Sequence, residues 1–384
     1  MRVFNGCFIV LFIVMLILPL VFVDLSSDRI SAEENRMLAE HPKLADIREH
    51  PGFFAYCFEA WFKDRTGFRK QLIKLYNFID KNTWINGFWY TDGGTVYLIG
   101  EHGHHYYAGD GSLIKKFQGK QFLSDEQLKN TADKLEEVKT YLDDKGIPFV
   151  VIFCTDKETV YPEFYPKLIK RGPEPVQLDI ITAYLQKRAS VDIFNIRRVL
   201  LAEKNNYLLY DISSGDLTHY TEIGGFFAYR ELMKHINIHF PEIVPYKLSD
   251  IDISYNEKGI PDISLKTKIT YKELAPSFFD DVDLIRPFTW ENAAFENNNP
   301  DLPVILFLRD SYTSYFSVKG LDEKKFITQF IASHFGRAIF IHYHNMEHFE
   351  EYIAKYKPDI VVFESAERQL RYFADFVAGI PELP

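Results

Sequence analysis

The chain has 384 residues, of which 47% are hydrophobic and 26% are charged. These values are ordinary for a globular protein, and the length allows one large α/β domain or two smaller ones. The formal net charge of −10 argues against a nucleic-acid partner, since phosphate binding needs clustered Lys and Arg side chains. The aromatic content of 16% is high, which suits a large core and also carbohydrate-binding surfaces.

The N-terminal segment predicts a membrane anchor. Residues 7–23 carry no charge, and Arg2 precedes them. Roughly 17 to 20 apolar residues suffice to cross the hydrocarbon core of a membrane. No small-x-small cleavage site follows, which favours an uncleaved signal anchor over a removed signal peptide. With Arg2 inside, residues 1–25 are predicted to form one transmembrane helix, and the rest of the chain is predicted to lie outside the cytoplasm.

The segments after the anchor predict a stalk and one main domain. Residues 26–50 are polar and are interpreted as a juxtamembrane stalk, and residues 51–384 as the main domain. Cys57 and Cys154 lie in aromatic and apolar segments, which predicts two buried free thiols. A disulfide between them stays open as an alternative.

The clearest helix–strand unit begins at Ser124. Ser124 and Gln127 form a capping-box pattern, and apolar residues then recur every three or four positions up to Leu142. Gly146 follows as a natural helix stop. Residues 149–154 come next and are all apolar, as in a strand buried on both faces. This alternation predicts a doubly wound α/β domain with a parallel sheet.

The same alternation continues along the chain. Predicted helices are residues 178–188, 196–203, 223–236, 322–335 and 346–355, and predicted strands are residues 191–196, 207–211, 304–308, 338–342 and 360–363. The acidic segment 245–299 breaks the pattern with short alternating pieces. It predicts a β-rich insertion or lid at about residues 240–300.

Asp216, His219 and Ser311 are the candidate catalytic residues. An acid three positions before a histidine can place a carboxylate beside the imidazole, and a serine from another strand end can complete the set. All three residues follow predicted strands, whose carboxyl ends form the ligand-binding edge of an open α/β sheet. In this interpretation Ser311 is the nucleophile, His219 the general base and Asp216 the residue that orients it.

Each of these residues also has a structural interpretation. A serine at a strand–helix junction is often an N-cap. Asp216 and His219 can equally be a loop acid and a helix-start histidine, with Thr218 or Thr221 capping the helix that follows. Spacing alone does not separate the catalytic interpretation from the structural one.

Two clusters of three histidines raise the question of a metal site: His102, His104 and His105, and His342, His344 and His348. Neither has a Cys or a carboxylate at a familiar zinc spacing, so a solvated or substrate-facing role is predicted instead. Neither a metal nor an organic cofactor is predicted. Glu364 and Arg368 follow the last strand and are predicted to form a structural ion pair across one helical turn.

Five stretches in order carry a family resemblance: residues 32–38 (AEENRML), 156–163 (DKETVYPE), 218–225 (THYTEIGG), 309–312 (RDSY) and 357–364 (KPDIVVFE), the last followed by Glu367 and Arg368. Together they resemble the alginate O-acetyltransferase family of the AlgX/AlgJ type, whose members have an SGNH-hydrolase-like domain. They span nearly all of the chain after the predicted anchor, and the ordered set is more specific than any one motif.

The resemblance implies a serine nucleophile at Ser311, with His219 as its base and Asp216 as the partner of His219. It also implies the chain order seen here, in which the Asp/His motif precedes the serine. The family usually has Asp-x-His-Trp, whereas this chain has the acid three positions before His219 and Tyr220 in place of Trp. Asp-x-x-His is the spacing of SGNH enzymes in general.

The resemblance further implies a substrate and a partner. Members of the family work with a multi-pass membrane O-acyltransferase that passes acetyl groups out of the cell, and they then acetylate a surface polysaccharide. The implied function is therefore a membrane-anchored, extracytoplasmic O-acetyltransferase. Two alternatives stay open, a carbohydrate acetyl-esterase and a non-catalytic glycan-binding subunit of an exopolysaccharide export complex. A large separation between Ser311 and His219 would favour the non-catalytic subunit.

Overall fold

The computed structural model describes residues 17–18, 21–24, 30–31, 36–37, 39, 41, 51–69, 71, 89–92, 95–109, 111–120, 122–212, 218–257, 259–267, 271–274, 276–279, 292–313 and 327–383. The chain divides into two compact units, Met1–Gly87 and Phe88–Pro384. Most of the predicted anchor, residues 7–23, lies outside the described ranges. Among the helices that are described, none has the length and apolar character needed to span a membrane.

The first unit contains a short hairpin and one helix. Strands β1 (Ile30–Ser31) and β2 (Arg36–Met37) pair in antiparallel orientation, and helix α1 covers Pro51–Arg65. Phe58 stacks on the aromatic rings one turn before and one turn after it in α1, with ring centroids 6.1 Å apart in both pairs. The aromatic residues at helical spacing thus form one face of α1.

The strands of the second unit are β3 (Trp89–Asp92), β4 (Thr95–Ile99), β5 (His105–Gly109), β6 (Phe149–Cys154), β7 (Asp192–Asn195), β8 (Ile251–Tyr255), β9 (Pro261–Leu265), β10 (Tyr271–Glu273), β11 (Ala293–Asn297), β12 (Val304–Arg309), β13 (Arg337–His342) and β14 (Ile360–Ala366). Its helices are α2 (Ser112–Phe117), α3 (Asp125–Asp143), α4 (Lys157–Val160), α5 (Gln177–Arg188), α6 (Arg197–Glu203), α7 (Glu222–His239), α8 (Ile327–Ala332), α9 (Phe349–Tyr356) and α10 (Leu370–Ala378). Short 3-10 helices cover Glu101–Gly103, Pro162–Phe164, Leu248–Asp250, Pro276–Phe279, Tyr343–His348 and Glu367–Gln369.

A seven-stranded sheet forms the centre of this unit, in the order β10-β11-β13-β12-β14-β6-β7. The five strands from β13 to β7 are parallel, as the alternation of helices and strands predicts. Strands β10 and β11 extend one edge in antiparallel orientation. They come from the segment interpreted as an insertion, and the buried start of β11, Ala293–Phe295, allows it to pair with β13 inside the fold.

Helices cover both faces of the sheet, and β6 shows why. Its six residues are all buried, and successive side chains point to opposite faces. Phe149, Val151 and Phe153 pack into one hydrophobic cluster with residues of α3, α5 and α10. Val150 and Ile152 pack into a second cluster with residues of α6 and α7. Burying each such side chain contributes about 1.5–3 kcal/mol to stability.

The predicted elements agree with the observed ones except in three places. The capping box at Ser124 is present, with Ser124 and Gln127 each accepting a hydrogen bond from the other's backbone N–H at 3.1 Å. Residues 207–211 do not form a strand; Tyr210 makes only an isolated antiparallel bridge with Tyr220. Leu209 and Tyr210 are buried in the hydrophobic cluster formed with α7, which explains the apolar character of this segment. Its hydrophobic pattern alone therefore wrongly predicted a strand.

The other two differences concern helices near the C-terminus. Of the helix predicted at residues 322–335, the structure shows α8 at Ile327–Ala332, and residues 314–326 lie outside the described ranges. The helix predicted from residue 346 begins later, at Phe349, because a 3-10 helix occupies Tyr343–His348.

Candidate active site

The structure brings Ser311 and His219 together. Ser311 lies two residues beyond the end of β12, and His219 lies three residues before the start of α7. The Ser311 Oγ is 2.8 Å from the His219 Nε2, which is hydrogen-bonding distance. Both residues are partly exposed, so a substrate can reach them from solvent. This distance is that of a nucleophile and its general base, and it is not the large separation that favours a non-catalytic subunit.

Two buried acids hold the turn that presents Ser311. Asp310 accepts a hydrogen bond from the N–H of Tyr312 at 2.8 Å, and it also accepts one from the N–H of Ala366 in β14. Glu364, also in β14, accepts from the N–H of Thr313 at 3.0 Å and from the Thr313 hydroxyl. The backbone on the C-terminal side of Ser311 is therefore tied to the neighbouring strand of the sheet.

The pKa of Glu364 lies well above its ordinary value. Burial raises this pKa most, and the nearby Asp310 raises it further, in part through a hydrogen bond between the two side chains. Glu364 therefore holds its proton to a higher pH than an exposed carboxyl does. The prediction that Glu364 pairs with Arg368 is wrong, because Glu364 is directed inward to the Ser311 turn.

A capped helix start places His219. Thr221 is the N-cap of α7, and its Oγ1 accepts a hydrogen bond from the N–H of Gly224 at 3.3 Å, as one of the structural interpretations predicts. The same Oγ1 donates to the carbonyl of Leu208 at 2.6 Å. A Cβ at Gly224 would lie 2.5 Å from the carbonyl oxygen of Leu209, so a glycine is needed for this close approach. His219 lies in the turn just before this fixed helix start.

Arg368 is a third side chain at the site, and its role was missed at the level of sequence. It lies in the 3-10 helix after β14, and its Nη1 binds the Asp156 Oδ1 at 2.8 Å instead of the predicted Glu364. Its Nη2 lies 3.2 Å from the His219 Nε2 and 3.5 Å from the Ser311 Oγ. Burial would lower the pKa of Arg368, but Tyr312 and Asp156 outweigh burial and raise it, so the guanidinium stays charged.

The contact with Arg368 sets the tautomer of His219. A guanidinium can only donate hydrogen bonds, so the His219 Nε2 must offer a lone pair to it and to the Ser311 hydroxyl. The ring proton is then on Nδ1, which faces the Thr218 Oγ1 at 2.9 Å. This is the tautomer that a general base needs in order to take a proton from Ser311.

A buried ion cluster lies behind Arg368. Lys116 Nζ lies 2.8 Å from Asp156, 3.0 Å from Glu158 and 3.2 Å from Glu367. Burial would raise the pKa of Asp156, but Lys116 and Arg368 outweigh it and lower this pKa below its ordinary value. For Glu158 burial dominates, and its pKa is raised to about 7. Asp156 thus carries a full negative charge between two cations.

The sequence did contain a signal for this cluster. Asp156, Lys157 and Glu158 come one residue after the end of β6, whose residues are all apolar. Charged residues at the carboxyl end of a buried parallel strand lie at the edge where ligands bind. What the sequence did not show is their common cation, because Lys116 comes from α2, forty residues earlier in the chain.

Asp216 lies outside the described residues, so its role as the partner of His219 stays a prediction. The start of the segment that leads to it is fixed. Lys157 Nζ donates to the carbonyl of Ile212 at 3.0 Å, to that of Asp211, and to that of His105 in β5 at 2.7 Å. Burial lowers the pKa of Lys157 to about 8, against the opposing effects of Asp211 and Glu158.

The histidine clusters and the cysteines form neither a metal site nor a disulfide among the described residues. In the described part of the chain, no group of three or more His, Cys, Asp or Glu side chains is arranged to hold a metal ion. His104 is buried and stacks on Phe164 with ring centroids 4.3 Å apart, and burial lowers its pKa to about 4. Cys57 and Cys154 are both free thiols; Cys154 is buried as predicted, whereas Cys57 is only partly buried.

Comparisons with known proteins give weak likenesses. No family model matches the chain, and no curated protein sequence matches it. Bacillus cereus PatB1, solved with a sulfonyl adduct, is 13% identical with a TM-score of 0.49, covering 73% of this chain and 96% of its own. A DHHW family protein from Eubacterium siraeum is 12% identical with a TM-score of 0.47, covering 75% and 96%. The O-acetyltransferase domain of Pseudomonas putida AlgJ is 12% identical with a TM-score of 0.43, covering 74% and 99%. At these values the likeness by itself assigns no function.

Proposed function

We propose that the protein is an O-acetyltransferase that uses a serine nucleophile to acetylate hydroxyl groups of a cell-envelope polysaccharide. The observation that carries the proposal is the 2.8 Å contact between the Ser311 Oγ and the His219 Nε2 at the carboxyl edge of the parallel sheet. The family resemblance of the sequence supplies the acetyl group and the polysaccharide acceptor. An N-terminal anchor, an extracytoplasmic location and a multi-pass membrane O-acyltransferase as the acetyl donor belong to the same proposal.

The reaction has two half-reactions at one serine. The Ser311 Oγ attacks the carbonyl carbon of the acetyl donor while the His219 Nε2 takes the hydroxyl proton. Collapse of the tetrahedral intermediate leaves an acetyl ester on Ser311, and the leaving group takes the proton from His219. A sugar hydroxyl then gives its proton to His219 and attacks the ester, and His219 returns the proton to the Ser311 Oγ. Asp216 is proposed to orient His219 throughout.

The covalent intermediate provides the direct test. After incubation with an activated acetyl donor such as a chromogenic acetyl ester, mass spectrometry of the peptide that contains Ser311 should show one added acetyl group. Ser311→Ala should lose this acetyl group and lower ester turnover by at least about 10³-fold, since the nucleophile is gone. Ser249→Ala is the matched control, because Ser249 is an exposed serine away from the site.

Two results decide between the proposal and its alternatives. If Ser311→Ala turns over the ester at the wild-type rate, the serine mechanism is wrong. Adding polysaccharide acceptors to the acetylated protein separates transfer from hydrolysis. A transferase gives acetylated glycan as its main product, whereas a carbohydrate esterase gives free acetate at the same rate with or without the acceptor.

A further inference from the structure

Serine acyl transfer needs hydrogen-bond donors for the oxyanion, and the turn after Ser311 has little to offer. Negative charge develops on the carbonyl oxygen during the attack, and donors that are already in place stabilise it. The N–H groups of Tyr312 and Thr313 are both used, by Asp310 and Glu364 respectively. Both acceptors are fully buried, so releasing either N–H would break the turn that presents Ser311. Among the hydrogen bonds of the described residues, none uses the N–H of Ser311 itself.

Arg368 is the charged donor next to the reacting atoms. Its Nη2 lies 3.5 Å from the Ser311 Oγ, and Tyr312 supports the guanidinium with a ring centroid 4.8 Å from Cζ. Arginine and carboxylate groups often pair through two parallel hydrogen bonds. In the described structure only Nη1 binds Asp156, while Nη2 is directed at His219 and Ser311. The side chain is thus held by one arm and presents the other to the site.

We propose that Arg368 is a catalytic residue that stabilises the oxyanion, together with the N–H of Ser311. The inference rests on the serine acyl-transfer mechanism proposed above. In the resting site Nη2 donates to the lone pair of the His219 Nε2. When Nε2 takes the Ser311 proton, both nitrogens are donors and this contact is lost. The Nη2 N–H then turns to the carbonyl oxygen, which gains its negative charge in the same step.

Asp156 and Lys116 are positioning residues in this mechanism. Asp156 binds Arg368 through Oδ1 and Lys116 through Oδ2, both at 2.8 Å. Lys116 therefore fixes the carboxylate that fixes the guanidinium. Burial of the three side chains keeps this line of charges from being screened by water.

Chemical rescue tests the role of Arg368. In Arg368→Ala we expect kcat for a chromogenic acetyl ester to fall by about 10²–10³-fold, with little change in KM. Ethylguanidinium chloride at millimolar concentrations should restore part of the lost rate in a saturable way, because it replaces the missing cation. Equal concentrations of sodium chloride or urea should not. A guanidinium that only re-pairs Asp156 would raise the free energy of unfolding together with kcat, so rescue of kcat without a matching rise in stability identifies the catalytic role.

Arg371→Ala is the matched control. Arg371 lies on α10, donates to the carbonyl of Phe122 at 2.7 Å, and is held over the Phe122 ring. This variant should keep the wild-type rate and should not respond to ethylguanidinium. If Arg368→Ala does not fold, Arg368→Lys is the variant to measure. It keeps a cation to pair with Asp156 but lacks the second nitrogen donor that faces His219 and Ser311. A folded Arg368→Lys protein whose kcat is at least about 10-fold lower supports the proposal.

The outcomes separate this inference from the proposed function. Wild-type activity in Ser311→Ala overturns the serine mechanism whatever Arg368 does. If Ser311→Ala is inactive, then near-normal kcat in Arg368→Ala or in Arg368→Lys overturns the role of Arg368 alone. An inactive, folded Arg368→Ala protein that ethylguanidinium does not rescue overturns it as well.

Discussion

Two groups of buried acids flank the Ser311–His219 pair, and they are neutralised in different ways. The ion cluster of Asp156, Glu158 and Glu367 surrounds Lys116, and Asp156 also binds Arg368. The acid pair of Asp310 and Glu364 instead accepts hydrogen bonds from backbone N–H groups and from a threonine hydroxyl. Both groups are almost completely buried at the carboxyl end of the sheet.

The two groups of acids differ in charge because they hold different parts of the site: the ion cluster holds Arg368, and the acid pair holds the backbone after Ser311. Lys116 and Arg368 outweigh burial and lower the pKa of Asp156, so this member of the ion cluster keeps its charge and can fix a charged side chain, whereas burial raises the pKa of Glu158 and of Glu367. Burial and Asp310 raise the pKa of Glu364 well above its ordinary value, so Glu364 gives up its proton less readily, and the acid pair fixes backbone N–H groups. The nucleophile is therefore positioned by a group in which Glu364 resists ionisation, and a second full negative charge there would disfavour an oxyanion nearby. The cation that favours the oxyanion is positioned by the charged group.

Among changes to the two acid groups, the largest loss of stability is expected from removing the charge of Asp156. Asp156→Asn keeps the shape of the side chain but leaves Lys116 and Arg368 without their shared anion. Breaking a buried ion pair costs about 3–5 kcal/mol, so the free energy of unfolding should fall by about that much in a urea titration. kcat should fall by about 10²-fold, because Nη2 of Arg368 is no longer held at the site.

Asp133→Asn is the control for this variant. Asp133 pairs with Lys129 on the exposed face of α3 at 2.6 Å, and both side chains are more than half exposed. Exposed pairs contribute less than about 1 kcal/mol, so stability and kcat should hardly change. Equal losses of stability in the two variants would contradict the view that the ion cluster holds a buried charge.

A smaller effect, and a different pattern, is expected at Glu364. Burial and Asp310 raise the pKa of Glu364, so Glu364→Gln replaces a carboxyl that resists ionisation with a neutral amide of similar shape, which can donate to Asp310 and accept from Thr313. The free energy of unfolding should change by less than about 1 kcal/mol. Glu364→Ala leaves the N–H of Thr313 unsatisfied in a buried site and should cost about 2–3 kcal/mol. A Gln variant as unstable as the Ala variant would show that Glu364 is charged.

Much of the frame followed from the sequence because its signals are local. An entirely apolar β6 after an amphipathic α3 predicts a buried parallel strand, and the strand order then places Ser311 at the ligand-binding edge. The residue pattern had already named His219 as the base for Ser311, the resemblance implied the same pair, and the two side chains do meet. The strand predicted at residues 207–211 was wrong for a local reason as well, since a short apolar segment is compatible with a buried loop as well as with a strand.

The charged partners did not follow from the sequence, because they are set by distant segments. Arg368 was predicted to pair with Glu364 at helical spacing, but a 3-10 helix after β14 turns it to Asp156, 212 residues away. Glu364 lies in β14 itself, and its side chain binds Thr313 in the turn that follows β12, the neighbouring strand of the sheet. Spacing predicts neighbours on one element, whereas a parallel sheet brings together the ends of several.

The smallest effect is expected for Glu158, and it depends on pH. Burial raises the pKa of Glu158 from an ordinary value of 4.5 to about 7 in the folded protein. Between these two values the unfolded chain has lost a proton that the folded chain still binds, so this group lowers stability as pH rises through the window. Glu158→Gln removes the effect. The variant should therefore gain stability relative to the wild type between pH 5 and pH 8, by on the order of 2 kcal/mol.

Urea titrations of both proteins at the two pH values measure this gain as a double difference, which cancels the contributions of all groups that they share. Glu163→Gln is the matched control, because Glu163 pairs with Lys204 at the surface and its side chain is 42% exposed. A stability difference between Glu158→Gln and wild type that is the same at pH 5 and pH 8 would mean that Glu158 is ionised throughout. Two acids of the ion cluster, Asp156 and Glu158, would then be charged, and its contrast with the acid pair around Ser311 would be greater.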